Sequence, residues 1–295
     1  MSRSIITGAT GYLGSHLVAS LLEHGYTILC PIVRQLPIAY LEPFEERVSL
    51  LYTDEQNYTT KITDFAADIV MHTACRYERD GTTLEELLDA NLLFPLKIMY
   101  TIAQQKEKKP LWLNTDTALD KYLNGYALSK HHFAEWGKYY SQKGDFTFVN
   151  VMLEQFYGEG DSGSKFIPFL LNKMKNDEPI DLTDGEQRRD FIYVDDVVAA
   201  FMFLAKKELT GFHEIPLGTG EAPQVRKVVE YLKEITESHS ELRFGAIPRR
   251  ENEPECLMAD MKLLEGLGFR CQYDWKSGLE KTIQISEHKI KGKVL

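Results

Sequence analysis

The sequence Tyr126-Ala127-Leu128-Ser129-Lys130 places a tyrosine and a lysine on one face of a helix. An ammonium beside a phenol favours the phenolate and draws the tyrosine pKa toward working pH. Such a tyrosine exchanges a proton with an alcohol or carbonyl oxygen. Thr115, at the end of an apolar run, offers a hydroxyl that can hydrogen-bond the same oxygen. A second constellation is Gly8-Ala9-Thr10-Gly11-Tyr12-Leu13-Gly14, with glycines spaced as GxxGxxG after an apolar strand and before a helical pattern. Glycines in that setting let the backbone approach a pyrophosphate, whose charge meets the N-terminus of the helix that starts near Leu13. Gly8, Thr10, Gly11, Tyr12, Leu13 and Gly14 are therefore expected to hold a dinucleotide. With Tyr126 they point to hydride transfer at a carbinol carbon, the positive nicotinamide ring adding to the stabilisation of the phenolate.

The second strand ends Cys30-Pro31-Ile32-Val33-Arg34. A site selective for NAD(H) would place an acid there for the ribose 2′-hydroxyl. Arg34 instead offers a cation to a 2′-phosphate, so NADP(H) is expected and NAD(H) is disfavoured. Lys and Arg total 34 against 44 Asp and Glu, a net charge of −10. That balance argues against nucleic acid as a partner and requires any anionic ligand to be met by local arginines. Cys30, Cys75, Cys256 and Cys271 form no CxxC pair, so neither a zinc site nor a disulfide framework is expected. His72, His131 and His132 supply no convergent ligand set, and no metal is expected.

These groups need a scaffold. Short apolar runs at 4–7, 26–33, 48–52, 69–73, 111–114 and 146–153 read as strands, with helical stretches between most of them. Alternating strand and helix with continuously apolar strands predicts an α/β fold, a doubly wound parallel sheet of the Rossmann type. Residues 1–157 are expected to form the dinucleotide-binding domain, joined by a late strand and helix near 190–218. Residues 158–189 and 219–295 are expected to form a smaller, discontinuous lobe that binds the substrate. No apolar run approaches the roughly 20 residues of a membrane helix. The opening MSRSIITGATGYLG leaves no room for a signal segment, so a cytoplasmic location is expected.

Several motifs stand in the order found in the extended short-chain dehydrogenase/reductases, the NAD-dependent epimerase/dehydratase family. They are the glycine loop, His72-Thr73-Ala74, Asn91, Thr115, Tyr126 with Lys130, Tyr157-Gly158, and Arg189-Asp190-Phe191-Ile192-Tyr193-Val194-Asp195-Asp196. The chain resembles that family over essentially its whole length. The resemblance implies that Thr115, Tyr126 and Lys130 are the hydroxyl donor, the acid/base and its electrostatic partner. It implies that His72, Ala74 and Asn91 lie at the cofactor together with Tyr126 and Lys130, Asn91 as a structural or proton-relay residue. Arg189 and Arg250 match positions that bind a nucleotide diphosphate, in the bidentate form suited to phosphate. Asp116, Gln155 and Lys165 fall where substrate contacts are usual. A homodimer joined through the helices that carry Asn91 and Tyr126 is also implied.

Family dehydratases follow the catalytic Thr with an Asp-Glu pair, whereas here Thr115 is followed by Asp116 and Thr117, so dehydration is not expected. The stretch from Asp116 to Gly125 is short beside the longer loop of the epimerases. Phe-Gly-Ala-Ile at 244–247, Leu-Asn-Thr-Asp at 113–116, Leu-Glu-Gln-Phe-Tyr-Gly at 153–158 and Asp-Gly-Glu-Gln-Arg-Arg-Asp-Phe at 184–191 look most like the CDP-abequose synthases, a branch of nucleotide-sugar 4-ketoreductases. The implied reaction is NADPH reduction of the C4 ketone of a CDP- or dTDP-linked 4-keto-6-deoxy or 4-keto-3,6-dideoxy sugar, for surface polysaccharide such as lipopolysaccharide O-antigen. A 4-epimerase uses the same residues and stays open as an alternative. A non-catalytic NADP(H) sensor is a third reading, which the presence of Thr115, Tyr126 and Lys130 disfavours.

Overall fold

Ile5 and Ile6 are wholly buried at the middle of β1 (Arg3–Thr7), where neither face of the strand meets water. Such a strand belongs at the centre of a sheet covered on both sides. The computed structural model, which describes residues 2–79, 81–105, 109–250 and 252–291, shows that arrangement. After β1 come α1 (Tyr12–Glu23), β2 (Thr27–Ile32), β3 (Ser49–Tyr52), α2 (Tyr58–Phe65) and β4 (Ile69–His72). Next are α3 (Leu84–Leu88), a π-helical turn (Asp89–Leu93), α4 (Phe94–Ala103), β5 (Leu111–Thr117), α5 (Gly125–Gln142) and β6 (Thr147–Leu153). The chain then runs through β7 (Gln155–Tyr157), α6 (Phe166–Lys175), β8 (Ile180–Leu182), β9 (Arg188–Arg189) and β10 (Phe191–Tyr193) before α7 (Val194–Leu204) leads to β11 (Phe212–Leu217). It ends with α8 (Val225–Ile235), β12 (Leu242–Phe244), β13 (Cys256–Leu257), α9 (Lys262–Gly266) and α10 (Trp275–Lys291).

The seven-stranded sheet has the order β11-β6-β5-β4-β1-β2-β3. β1 pairs in parallel with both β2 and β4, β2 with β3, and β4 with β5. The doubly wound parallel sheet expected from the alternation is present, and its order reverses at β1, the switch point where such sheets bind ligands. One core cluster joins Val70, Trp112 and Phe148 of the sheet to Ile62, Ile98, Met99, Ile102 and Phe133 of α2, α4 and α5. A Cβ on Gly137 would lie 2.3 Å from the Phe148 ring, so only glycine lets α5 come down so close to β6. That approach sets the height of the helix carrying Tyr126 and Lys130.

Two compact units are found, Met1–Met152 with Val198–Ile215, and Leu153–Val197 with Pro216–Leu295. The second is assembled from segments distant in sequence. Its strands form separate parallel pairs, β7 with β10, β8 with β12 and β9 with β13. Buried carboxylates hold these pieces. Asp190 accepts from Thr219 N (2.8 Å), Thr219 Oγ1 (2.7 Å), Gly220 N (3.0 Å) and Ala259 N (3.2 Å). Asp196 accepts from Gln272 N (2.7 Å) and Tyr273 N (2.9 Å). Each satisfies backbone donors that no ladder reaches. Among the described residues no helix is long and apolar enough to cross a membrane.

Candidate active site

The glycine loop follows β1 at the switch point. Gly8 has φ +74°, and a Cβ there would lie 2.5 Å from Ala74 N; on Gly14 it would lie 2.1 Å from Gly8 O. A side chain at Gly8 would push the loop off the segment that follows β4, and one at Gly14 would push α1 off the loop. Gly11 N donates to Gly8 O at 2.9 Å, closing the turn, and Gly11 is the N-cap of α1 without a side-chain cap bond. The first N–H groups of α1 thus lack a capping side chain, beneath an exposed glycine. Those features fit a pyrophosphate. Tyr12 and Leu13 are buried and anchor the first turn, while Thr10 is part-exposed.

Thr115 is the fifth residue of β5, and its Oγ1 is buried with no hydrogen-bond partner. Orphaned hydroxyls of this kind are rare in a finished core and mark a place where another group is to be met. Tyr126 lies in the first turn of α5, which Asn124 caps by accepting from Ala127 N at 2.8 Å. Its ring packs on Tyr77 at 4.9 Å. Desolvation first, then the charges of Cys75, Tyr77 and Asp116, hold the Tyr126 phenol well above its ordinary pKa. That direction is opposite to the one expected from a neighbouring lysine: burial and the acidic neighbours set it, and the protonated phenol is the stable form. Lys130, one turn on, is 2% exposed. It forms no ion pair with a described carboxylate, and a buried ammonium left so is costly until a ligand oxygen meets it.

Asn91 was expected at the cofactor. Its side chain is wholly buried, accepting from Arg76 N at 2.7 Å and donating to Arg76 O and Ser129 Oγ, both at 2.9 Å. It therefore fastens the loop after β4 to α5 one residue before Lys130. The π-helical turn that carries it is the extra-residue bulge that often marks a functional site. His72 is also wholly buried, its Nδ1 bonded to Thr7 Oγ1 and its ring 4.9 Å from Phe133. Burial, with the Lys130 charge second, holds it well below its ordinary pKa and keeps it neutral. Any contact it makes with a cofactor would be through its backbone. Asp116, expected to touch substrate, points instead into a buried polar chain. It accepts from Thr117 N and Asn150 Nδ2, both at 2.8 Å, with His131 Nδ1 at 3.7 Å from the same carboxylate.

Arg34, just past β2, is half exposed and gives two hydrogen bonds to Asp54, at 3.1 and 3.3 Å. Its guanidinium stacks on Tyr52 at 3.8 Å. Sequence reading missed both partners, because only the β2–β3 pairing brings them beside it.

In the second unit Gln155 opens β7 and is exposed, and Lys165 is the part-exposed N-cap residue of α6. Arg189 is 4% exposed; Nη1 donates to Arg188 O at 2.8 Å and Nη2 to Glu253 at 2.6 Å. Its guanidinium is thus already engaged by the chain. Arg250 is exposed. Neither Glu253 nor Asp190 carried a signal in the sequence beyond the motif itself, since each partner set comes from segments far away in the chain.

A model of the NAD dependent epimerase/dehydratase family matches residues 4–217. The chain is 33% identical to CDP-abequose synthase of Salmonella muenchen, the match covering 96% of this chain and 97% of that one. It is 31% identical to CDP-abequose synthase of Salmonella typhimurium, covering 95% and 97%. Among solved structures, MoeE5 in complex with UDP-glucuronic acid and NAD superposes with a TM-score of 0.82 at 24% identity, covering 98% of this chain and all of that one.

Proposed function

The chain belongs to the NAD dependent epimerase/dehydratase family, and from that premise we propose that it is an NADPH-dependent 4-ketoreductase. Its substrate would be a 4-keto-6-deoxy or 4-keto-3,6-dideoxy sugar linked to CDP or dTDP, and its product a deoxysugar for surface polysaccharide. The observation that carries the reading is the pair at the end of β5 and the start of α5: an unpartnered Thr115 hydroxyl and a Tyr126 held as phenol. A ketone oxygen needs a hydrogen-bond donor and an acid, and these residues are both. Similarity to the two CDP-abequose synthases over nearly the whole chain supports the nucleotide-linked deoxysugar.

A reduced nicotinamide, when bound, supplies the hydride. The chain's own residues do the rest. Thr115 Oγ1 donates to the C4 oxygen and orients the carbonyl. Tyr126 gives that oxygen its proton. Lys130 offsets the charge left on Tyr126 and meets ligand oxygens with its ammonium. Asn91 keeps α5 and the loop at Arg76 in register, acting through them. The glycine loop and the first turn of α1 hold the pyrophosphate, Arg34 meets a 2′-phosphate, and Arg189, Arg250, Gln155 and Lys165 bind the nucleotide sugar. Asp116 acts on Tyr126 through its charge.

Oxidation of NADPH, followed as loss of reduced-nicotinamide absorbance with CDP- and dTDP-linked 4-keto sugars and with NADH as control, tests the reading. Turnover with one of them is expected; isomerised sugar with unchanged cofactor would replace it by a 4-epimerase. Asp54 favours that second reading, since an acid beside Arg34 could accept from the 2′-hydroxyl of NAD. We place the enzyme in the cytoplasm, where its free cysteines stay reduced. We also propose a homodimer through α4 and α5, supported by the exposed Tyr100, Trp136 and Tyr139. Sedimentation as a monomer at micromolar concentration would remove it.

A further inference from the structure

Glu154 stands between the end of β6 at Leu153 and the start of β7 at Gln155. It is 8% exposed, between buried Leu153 and exposed Gln155, a burial that an apolar side chain would meet without cost. Its backbone N–H is used, donating to Leu217 O at 2.9 Å. Its carboxyl is not: no described residue gives it a hydrogen bond. Neither carboxyl oxygen is among the fully enclosed unpartnered atoms, so each keeps a little accessible surface on an otherwise buried residue.

The charged groups that face it are Asp190 and Arg189, carried beside β7 by the parallel β7–β10 register and by the bond from Gln155 N to Asp190 O. Asp190 is saturated by Thr219, Gly220 and Ala259 and cannot turn toward Glu154. Arg189 is paired with Glu253. An ionised Glu154 would face the Asp190 charge and share Arg189 with Glu253. Burial first, and then Asp190, raise Glu154 to about 8, with Arg189 acting in the opposite direction.

We propose that Glu154 is a ligand-contacting residue of the Arg189 site, its carboxylic acid O–H donating a hydrogen bond to a non-bridging oxygen of the diphosphate. The inference rests on the proposed binding of a nucleotide sugar by this unit. A neutral acid is the only form of a carboxyl that stabilises a phosphate directly; the ionised form repels it and has no proton to give. Affinity is therefore full while Glu154 is protonated and falls as pH rises through about 8.

The test is calorimetric titration of the full chain with CDP-glucose and dTDP-glucose at about pH 7 and about pH 9, where their diphosphates do not titrate. Affinity of the wild type is expected to fall about tenfold across that interval, following the protonated fraction of Glu154. Glu154→Gln, which keeps a donor at every pH, should bind about equally well at both. The same small change in wild type and variant would overturn the role of Glu154 while leaving the proposed function intact. Failure of both nucleotide sugars to bind the wild type at either pH would overturn the proposed function and this inference with it. An unchanged wild-type affinity across the interval overturns the role of Glu154 even if the variant folds poorly.

Discussion

Thr115 Oγ1 is buried without a partner and Lys130 is 2% exposed with no carboxylate of the described residues paired to it, whereas Asp190, wholly buried in the second unit, collects hydrogen bonds from three other residues. All three are polar groups taken out of water. They differ in who satisfies them. Asp190 is answered by the chain itself, so its removal should be felt in folding. Thr115 and Lys130 are left for something the chain does not supply, so their removal should be felt in turnover. Tyr126 belongs with them: its ring packs against Tyr77, and burial keeps its phenol protonated.

Tyr126→Phe sharpens that comparison most. It removes only the acid, and kcat for the proposed reduction is expected to fall about 10²–10⁴-fold, or about 3–5 kcal/mol of barrier. Cofactor binding and thermal unfolding should stay near wild type, and calorimetry beside the kinetic assay checks both. Unchanged turnover would remove Tyr126 as the acid, and cofactor binding without turnover in the wild type would point to the sensor reading.

Asp190→Asn should do the reverse. The amide keeps the shape but turns an NH₂ toward donors at Gly220 and Ala259, leaving backbone N–H groups buried and unmet. A loss of about 2–4 kcal/mol in stability is expected, read from urea unfolding. A variant as stable as wild type would show that Asp190 does not organise the loop at Thr219.

Much of the first group was legible from sequence, and little of the second. The glycine loop, Thr115, Tyr126 and Lys130 lie in runs whose local pattern already specifies strand, turn and helix, so residue type and spacing suffice. Asp190 sits in an equally recognisable motif, but its partners come from 219–220 and 259, and only tertiary structure joins them. The same holds for Arg189 with Glu253 and for Arg34 with Asp54. The direction of Tyr126 ionisation also lay beyond the sequence, because it depends on packing around the ring and on Asp116 being turned inward. His72 and Asn91 were found by position, but their burial makes them parts of the frame.

Thr115→Val tests the comparison at a single atom. It replaces an unpartnered buried hydroxyl with a methyl of similar shape, so stability should be unchanged or slightly higher. Turnover should nevertheless fall about 10- to 100-fold, or about 1.4–2.7 kcal/mol of barrier. Loss of both together would make the hydroxyl a structural group and break the contrast with Asp190.

The smallest effect is expected at Arg34, an exposed group that is already partnered. Asp54 takes two of its hydrogen bonds and Tyr52 stacks on its face, so the guanidinium is held in place but partly neutralised. A 2′-phosphate has to share it with Asp54 or displace that carboxylate. Arg34→Ala should therefore raise KM for NADPH by only about fivefold, with little change for NADH. Asp54→Asn should shift the preference the other way, because it removes the competing charge and leaves the cation oriented by Tyr52. Initial rates with both cofactors across the two variants give the ratio directly. If Asp54→Asn weakens NADH more than it improves NADPH, the acid serves the ribose hydroxyl and the site is built for NAD(H).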